Sequence, residues 1–165
     1  MSVTAQIAKH FREVYFGGNW TCSNVKDQLA DVTWQQATTR IDSFNTIAVL
    51  TFHIGYFVEA LLKVLDGRPL DSNDKYSFDH PPIDSQQEWE AIRAKVLSDA
   101  ERCADLIQGL PDDRLWEDFS DPKYGSYYRN LHGVIEHTHY HLGQIAVMKK
   151  LLAQASTSTL ITTTR

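Results

Sequence analysis

The stretch EHTHYHLGQIAV, Glu136 to Val147, sets three histidines within five residues, alternating with Thr138 and Tyr140. Imidazole is a general acid or base near neutral pH and a common metal ligand, so the first question is which of the three can act together. Strict alternation fits a strand, but the flanking apolar residues recur at helical spacing. A helix advances about 100° per residue, which points His137 and His141 the same way, one turn apart. His139 falls on the other side, beside the face of Ile135 and Leu142. Val134, Ile145 and Met148 share the stripe of His137 and His141, so this pair is the core-facing one.

Two buried imidazoles have four ring nitrogens to satisfy. Shared coordination of a cation satisfies two at once, and helical histidines four apart hold zinc in metalloproteases. A third histidine, His53, has Val49, Leu50, Tyr56 and Phe57 as its neighbours at helical spacing. Alone it reads as a structural core histidine. Joined to the pair it gives a three-histidine set with open positions for water or substrate. Two related motifs are absent. An HExxH protease needs Glu after its first histidine, and here Thr138 follows His137 while Glu136 precedes it. A di-iron bundle needs two Glu-x-x-His pairs, and the chain has one, Glu136 and His139, whose histidine points away.

The elements that must position these residues are helices. Ile7, Phe11, Val14 and Tyr15 mark a first helix over about Val3 to Phe16, stopped by Gly17-Gly18. A mixed connection follows, with a short helical turn capped at Ser23. Phe44 to Asp66 is the most apolar helix, capped at Asp42 or Ser43 and ended by Gly67 and Pro69. Its His53, Glu59 and Lys63 argue for a buried helix over a membrane span. Ser85 with Glu88 three residues on is a capping box, opening a helix that closes at Gly109 and Pro111. An aromatic-rich connection, with a short hairpin expected around Lys123 to Gly125, leads to a last helix from about Tyr128 to Ala153. The Ser/Thr-rich tail, 154–165, reads as non-helical. Four main helices joined by two long connections make an all-α four-helix bundle, in one domain over 1–153.

Bulk properties fit one globular domain: 165 residues, 42% hydrophobic, 22% charged. A net charge of −5 argues against sequence-independent binding to nucleic acid, and no basic amphipathic segment suits an anionic membrane. Cys22 and Cys103 form no CxxC, and the first residues carry no secretory apolar core, so a cytoplasmic protein with reduced thiols is expected. The acids Asp112, Asp113, Glu117, Asp118 and Asp121 read as a solvated rim.

TFHIGYF around His53, followed far downstream by HTHYHLGQI, resembles the DinB/YfiT-like superfamily of damage-inducible bacterial proteins. The segments WTCSNVKDQLADVTWQQATTRIDSFNTIAVLTFHI and KYGSYYRNLHGVIEHTHYHLGQI add to the likeness, which spans roughly residues 1–153. The resemblance implies an up-down-down-up bundle with a metal, zinc or nickel, held by His53, His137 and His141, and a homodimer. It also implies a small-molecule substrate and a reaction of thiol S-transferase type, using a low-molecular-weight thiol such as bacillithiol or mycothiol. Asn45, Tyr56 and Gln144 are candidates to support the ligands or touch substrate. The alternative is a non-catalytic, stress-induced dimeric binding protein whose metal site is structural or vestigial.

Overall fold

The structure is a computed structural model that describes residues 1–162, with side chains through Gln154. Its helices are α1 (Val3–Phe16), α2 (Val25–Ala30), α3 (Trp34–Thr38), α4 (Ile47–Leu65), α5 (Gln86–Gly109) and α6 (Tyr127–Thr162). Short 3-10 turns occupy Asp74–Tyr76, Asp112–Trp116 and Pro122–Tyr124. There is no strand among the described residues; the expected hairpin reduces to a single bridge between Asp118 and Ser126 around the last 3-10 turn.

Local chemistry sets the helix ends. Ser2, Asn24, Thr33, Thr46 and Ser85 each accept a backbone N–H with the side chain, giving the five N-caps. The cap of α2 is therefore Asn24 instead of Ser23, and that of α4 is Thr46 instead of Asp42 or Ser43. Phe44, expected inside α4, precedes it and is 56% exposed. Helix α6 does not break at Ala153 but continues to Thr162. Extending an existing helix by one residue fixes few dihedrals per hydrogen bond, so weak Ser/Thr propensity does not stop it. Residues 163–165 of the expected tail lie outside the described residues.

Four long helices, α1, α4, α5 and α6, form the bundle, with α5 and α6 each packed on both α1 and α4. Ion pairs reveal the directions. Lys95 meets Glu59 and Arg102 meets Asp66, seven residues further on in both helices, so α4 and α5 run parallel. Arg12 reaches Glu101 and Asp105 while Thr4 reaches Asp112, so α1 is antiparallel to α5. His53 meets His137 and His141 where Leu61 and Val134 line one cavity, so α6 opposes α4. The result is the expected up-down-down-up order. Parallel α4 and α5 require the chain to return along the bundle, and residues 66–85 make that return.

Phe11, Tyr15, Leu50, Ile54, Leu61, Trp89, Ile107, Leu131 and Ile145 fill the core at 2% exposure or less. Helices α4 and α5 approach closely at Gly55, where an added Cβ would lie 2.6 Å from Val96 Cγ2. Helix α4 is long and apolar enough to cross a membrane by composition, yet 67% of that stretch is buried inside the bundle.

Candidate metal centre

Helices α4 and α6 bring the three histidines together. His137 Nε2 lies 3.0 Å from His53 Nε2 and 3.1 Å from His141 Nε2. The potential ligand atoms all fall within 4.8 Å of one another. His53 and His141 are buried, at 6% and 8% exposure, and His137 is half-buried.

The outer nitrogens explain why the inner ones converge. His53 Nδ1 donates to the Ser77 carbonyl at 3.2 Å, and His141 Nδ1 donates to Gln144 Oε1 at 2.7 Å. Each bond places the proton on Nδ1 and leaves a lone pair on Nε2, the arrangement a metal ligand needs. His137 Nδ1 is buried with no hydrogen-bond partner. Aromatic rings enclose the group. Phe78 stacks on His53 with centroids 4.0 Å apart, Phe57 packs edge-on against His53 and His137, and Tyr140 packs edge-on against His141.

Burial lowers the proton affinity of these rings. Desolvation, reinforced by the neighbouring His141 and His53, pushes the His137 pKa down to about 4. Desolvation, then His141, also lowers that of His53. At neutral pH these two rings are neutral and can donate lone pairs.

The donor set fits a cation. With Nδ1 protonated on His53 and His141, His137 can offer one Nε2 proton to only one of them. The other contact then sets two lone pairs about 3 Å apart with nothing between them. A divalent ion removes that conflict. Tetrahedral zinc with Zn–N bonds of about 2.0–2.1 Å places its nitrogens roughly 3.3 Å apart, close to the two separations at His137 Nε2. The three histidines could thus hold a divalent metal.

Residues 20–145 match the family model of the DinB superfamily. The chain belongs to the DinB superfamily. All three histidines fall within the matched DinB segment, whereas α1 lies outside it. No curated protein and no solved structure matches the chain.

Among the other candidates, Gln144 touches the group through His141. Tyr56 turns away from it: its hydroxyl donates to the Asn73 carbonyl and accepts from the Asn73 N–H. It pins the loop that carries Ser77 and Phe78, so its link to the DinB histidines is indirect. Asn45 is exposed and shares a groove with Gln144 and Tyr140, without a bond to any of the three rings. His139 packs toward His10 on α1, with ring centroids 6.1 Å apart. Sequence reasoning missed Ser77 and Phe78. A backbone carbonyl carries no sequence signal, and Phe78 sits in an aperiodic loop. Phe57 was detectable as the residue one turn beyond His53.

Proposed function

We propose that this protein is a metal-dependent enzyme whose zinc or nickel ion is held by His53, His137 and His141, and that it transfers a thiol to a small electrophile. The observation that carries the metal reading is the convergence of three Nε2 atoms, two of them fixed as lone-pair donors by Ser77 and Gln144. A divalent ion held by three neutral imidazoles keeps its full charge and lowers the pKa of a bound thiol or water. In this reading the three histidines would hold the ion, Ser77 and Gln144 fix the tautomers, and Phe57, Phe78 and Tyr140 pack against the rings.

Neither cysteine is among the groups that touch the three rings. Cys103 is buried in α5 and desolvation raises its thiol pKa, while Cys22 is exposed in the loop after α1. The nucleophilic thiol in this reading arrives with the substrate, as a low-molecular-weight thiol. A homodimer in the cytoplasm completes the proposal, on the strength of the family likeness.

The aromatic enclosure of all three rings favours a second reading, in which the metal serves the fold alone. One experiment separates them. Protein purified without a histidine tag is analysed for metal, then melted with and without chelator. One metal per chain, retained fold after chelation and thiol-dependent consumption of an electrophile support the enzyme. A collapse of the fold on chelation supports the structural reading. Absence of stoichiometric metal overturns both.

A further inference from the structure

A cleft of about 640 Å³ opens directly onto His137, along the first turns of α6. Its lining includes the row Arg129, Gly133, His137, each one helical turn from the next. Phe57, His132 and Glu136 also line it.

Three observations point to a ligand in this open cleft. Gly133 lies inside a helix, where glycine costs about 1 kcal/mol relative to alanine. Packing does not demand it, since an added Cβ there would meet nothing within 4 Å. What glycine provides is open space between Arg129 and His137. Second, Arg129 is exposed, and its guanidinium has no carboxylate or carbonyl partner among the described residues. Its stem lies over Gly125, whose φ is +76° and where a Cβ would come within 2.9 Å of Arg129 Cδ. The side chain is therefore seated by the backbone without being neutralised. Third, the cleft is polarised. Arg129 stands at the end away from the histidines, and Glu136 stands beside His137 at the other. Arg129 attracts a carboxylate to the far end, while the exposed Glu136 leaves no second positive charge to compete for it at the histidine end. His132 lies between, with its ring against Tyr128, which in turn stacks on Trp116.

We propose that this cleft is the substrate site of the histidine centre and that it takes a small molecule with a carboxylate at one end, held by Arg129, and its reacting end at His137. Guanidinium suits this role because its forked donors match a planar carboxylate. The two ends are eight residues apart, about 12 Å along the helix axis. An elongated ligand, with the arginine stem covering part of the span, fits that distance. The inference rests on the reading of the three histidines as a metal centre.

The test uses zinc-loaded protein titrated calorimetrically with 6-mercaptohexanoate and, separately, with neutral 6-mercaptohexanol. The expected result is a preference of about tenfold or more for the carboxylate, the size of a charge-assisted hydrogen bond. Arg129→Gln should abolish that preference, and Gly133→Leu should weaken both ligands, each with zinc content unchanged at one per chain. Equal affinity of the wild-type protein for the two thiols overturns the proposal. So does a preference that survives Arg129→Gln, or unchanged binding in Gly133→Leu. Should the wild-type chain hold no zinc, the metal reading falls separately. Hexanoate against hexanol, titrated into the metal-free chain and Arg129→Gln, then decides the anion site: a preference lost in the variant supports it, and no preference overturns it.

Discussion

Two faces of α6 carry buried polar groups one residue apart, and they end in opposite states. Toward α1, the Tyr15 hydroxyl donates to Thr138 Oγ1 at 3.1 Å, and Thr138 donates on to the Val134 carbonyl at 2.8 Å. Both residues are fully buried, and the chain of bonds ends at that carbonyl with each hydroxyl proton donated. Burial holds the Tyr15 hydroxyl protonated, with its pKa raised. Toward α4, three imidazoles meet nitrogen to nitrogen, and His137 Nδ1 has no partner. A closed network needs no ligand and serves stability and register. An open one calls for an explanation, and these three converging rings could hold an ion. The difference separates satisfied from unsatisfied polar residues between His137 and His141.

The largest expected effect attacks the open face. His137→Ala removes the nitrogen that both other histidines approach, and metal content should fall from about one per chain to near zero by elemental analysis. His139→Ala, on the side of His10, should leave metal content unchanged. Equal loss in both variants would erase the distinction between the faces. A smaller effect follows from Gln144→Leu. The ligand set survives, but His141 loses the acceptor that fixes its tautomer, and metal affinity should weaken roughly 10- to 100-fold, measured by competition with a chelator. Unchanged affinity would reduce Gln144 to a bystander.

These residues also show how far the sequence could be read. The pairing of His137 with His141 and the exclusion of His139 follow from helical period alone, because side-chain direction on a helix is fixed by backbone geometry. That His53 joins them depends on α4 and α6 being adjacent and antiparallel, which the family resemblance supplied and no local pattern encodes. The direction of α5 relative to α4 is carried by Glu59–Lys95 and Asp66–Arg102, pairs separated by 36 residues and invisible to any local window. The placement of Tyr56 and Asn45 went unread for a related reason. Both neighbour the site in sequence, but Tyr56 faces the 67–85 loop, whose path has no periodicity. The Ser/Thr tail misled because propensity was weighed without the helix already running into it.

The closed face makes its own prediction, in stability and not in metal. Thr138→Val leaves the fully buried Tyr15 hydroxyl without a partner and should cost about 1–3 kcal/mol in denaturant unfolding, with metal content intact. Adding Tyr15→Phe removes the orphaned group and should recover most of that loss, since deleting both partners of a buried hydrogen bond is far cheaper than deleting one. On the open face no such rescue is expected, since in the proposed reading a second histidine removed is a second ligand removed.

The smallest effect lies at the α1 end of the closed side, where Asp112, expected as a solvated acid, accepts from the Thr4 and Val3 backbone N–H groups and the Thr4 hydroxyl. Those bonds, Thr4 first, hold its pKa below the usual carboxylate value of about 3.9. A depressed folded-state pKa means stability that is fully present above the unfolded pKa and lost as pH falls through the folded one. The carboxylate is exposed, so the effect is small and salt-sensitive. Melting curves recorded from pH 5 downward should drop more steeply for the wild-type protein than for Asp112→Asn, whose amide keeps an acceptor but does not titrate. Parallel curves would mean that Asp112 only decorates the end of α1. Converging curves would show that even the exposed bonds of the α1 side are complete without a ligand, in contrast to the three nitrogens across the helix.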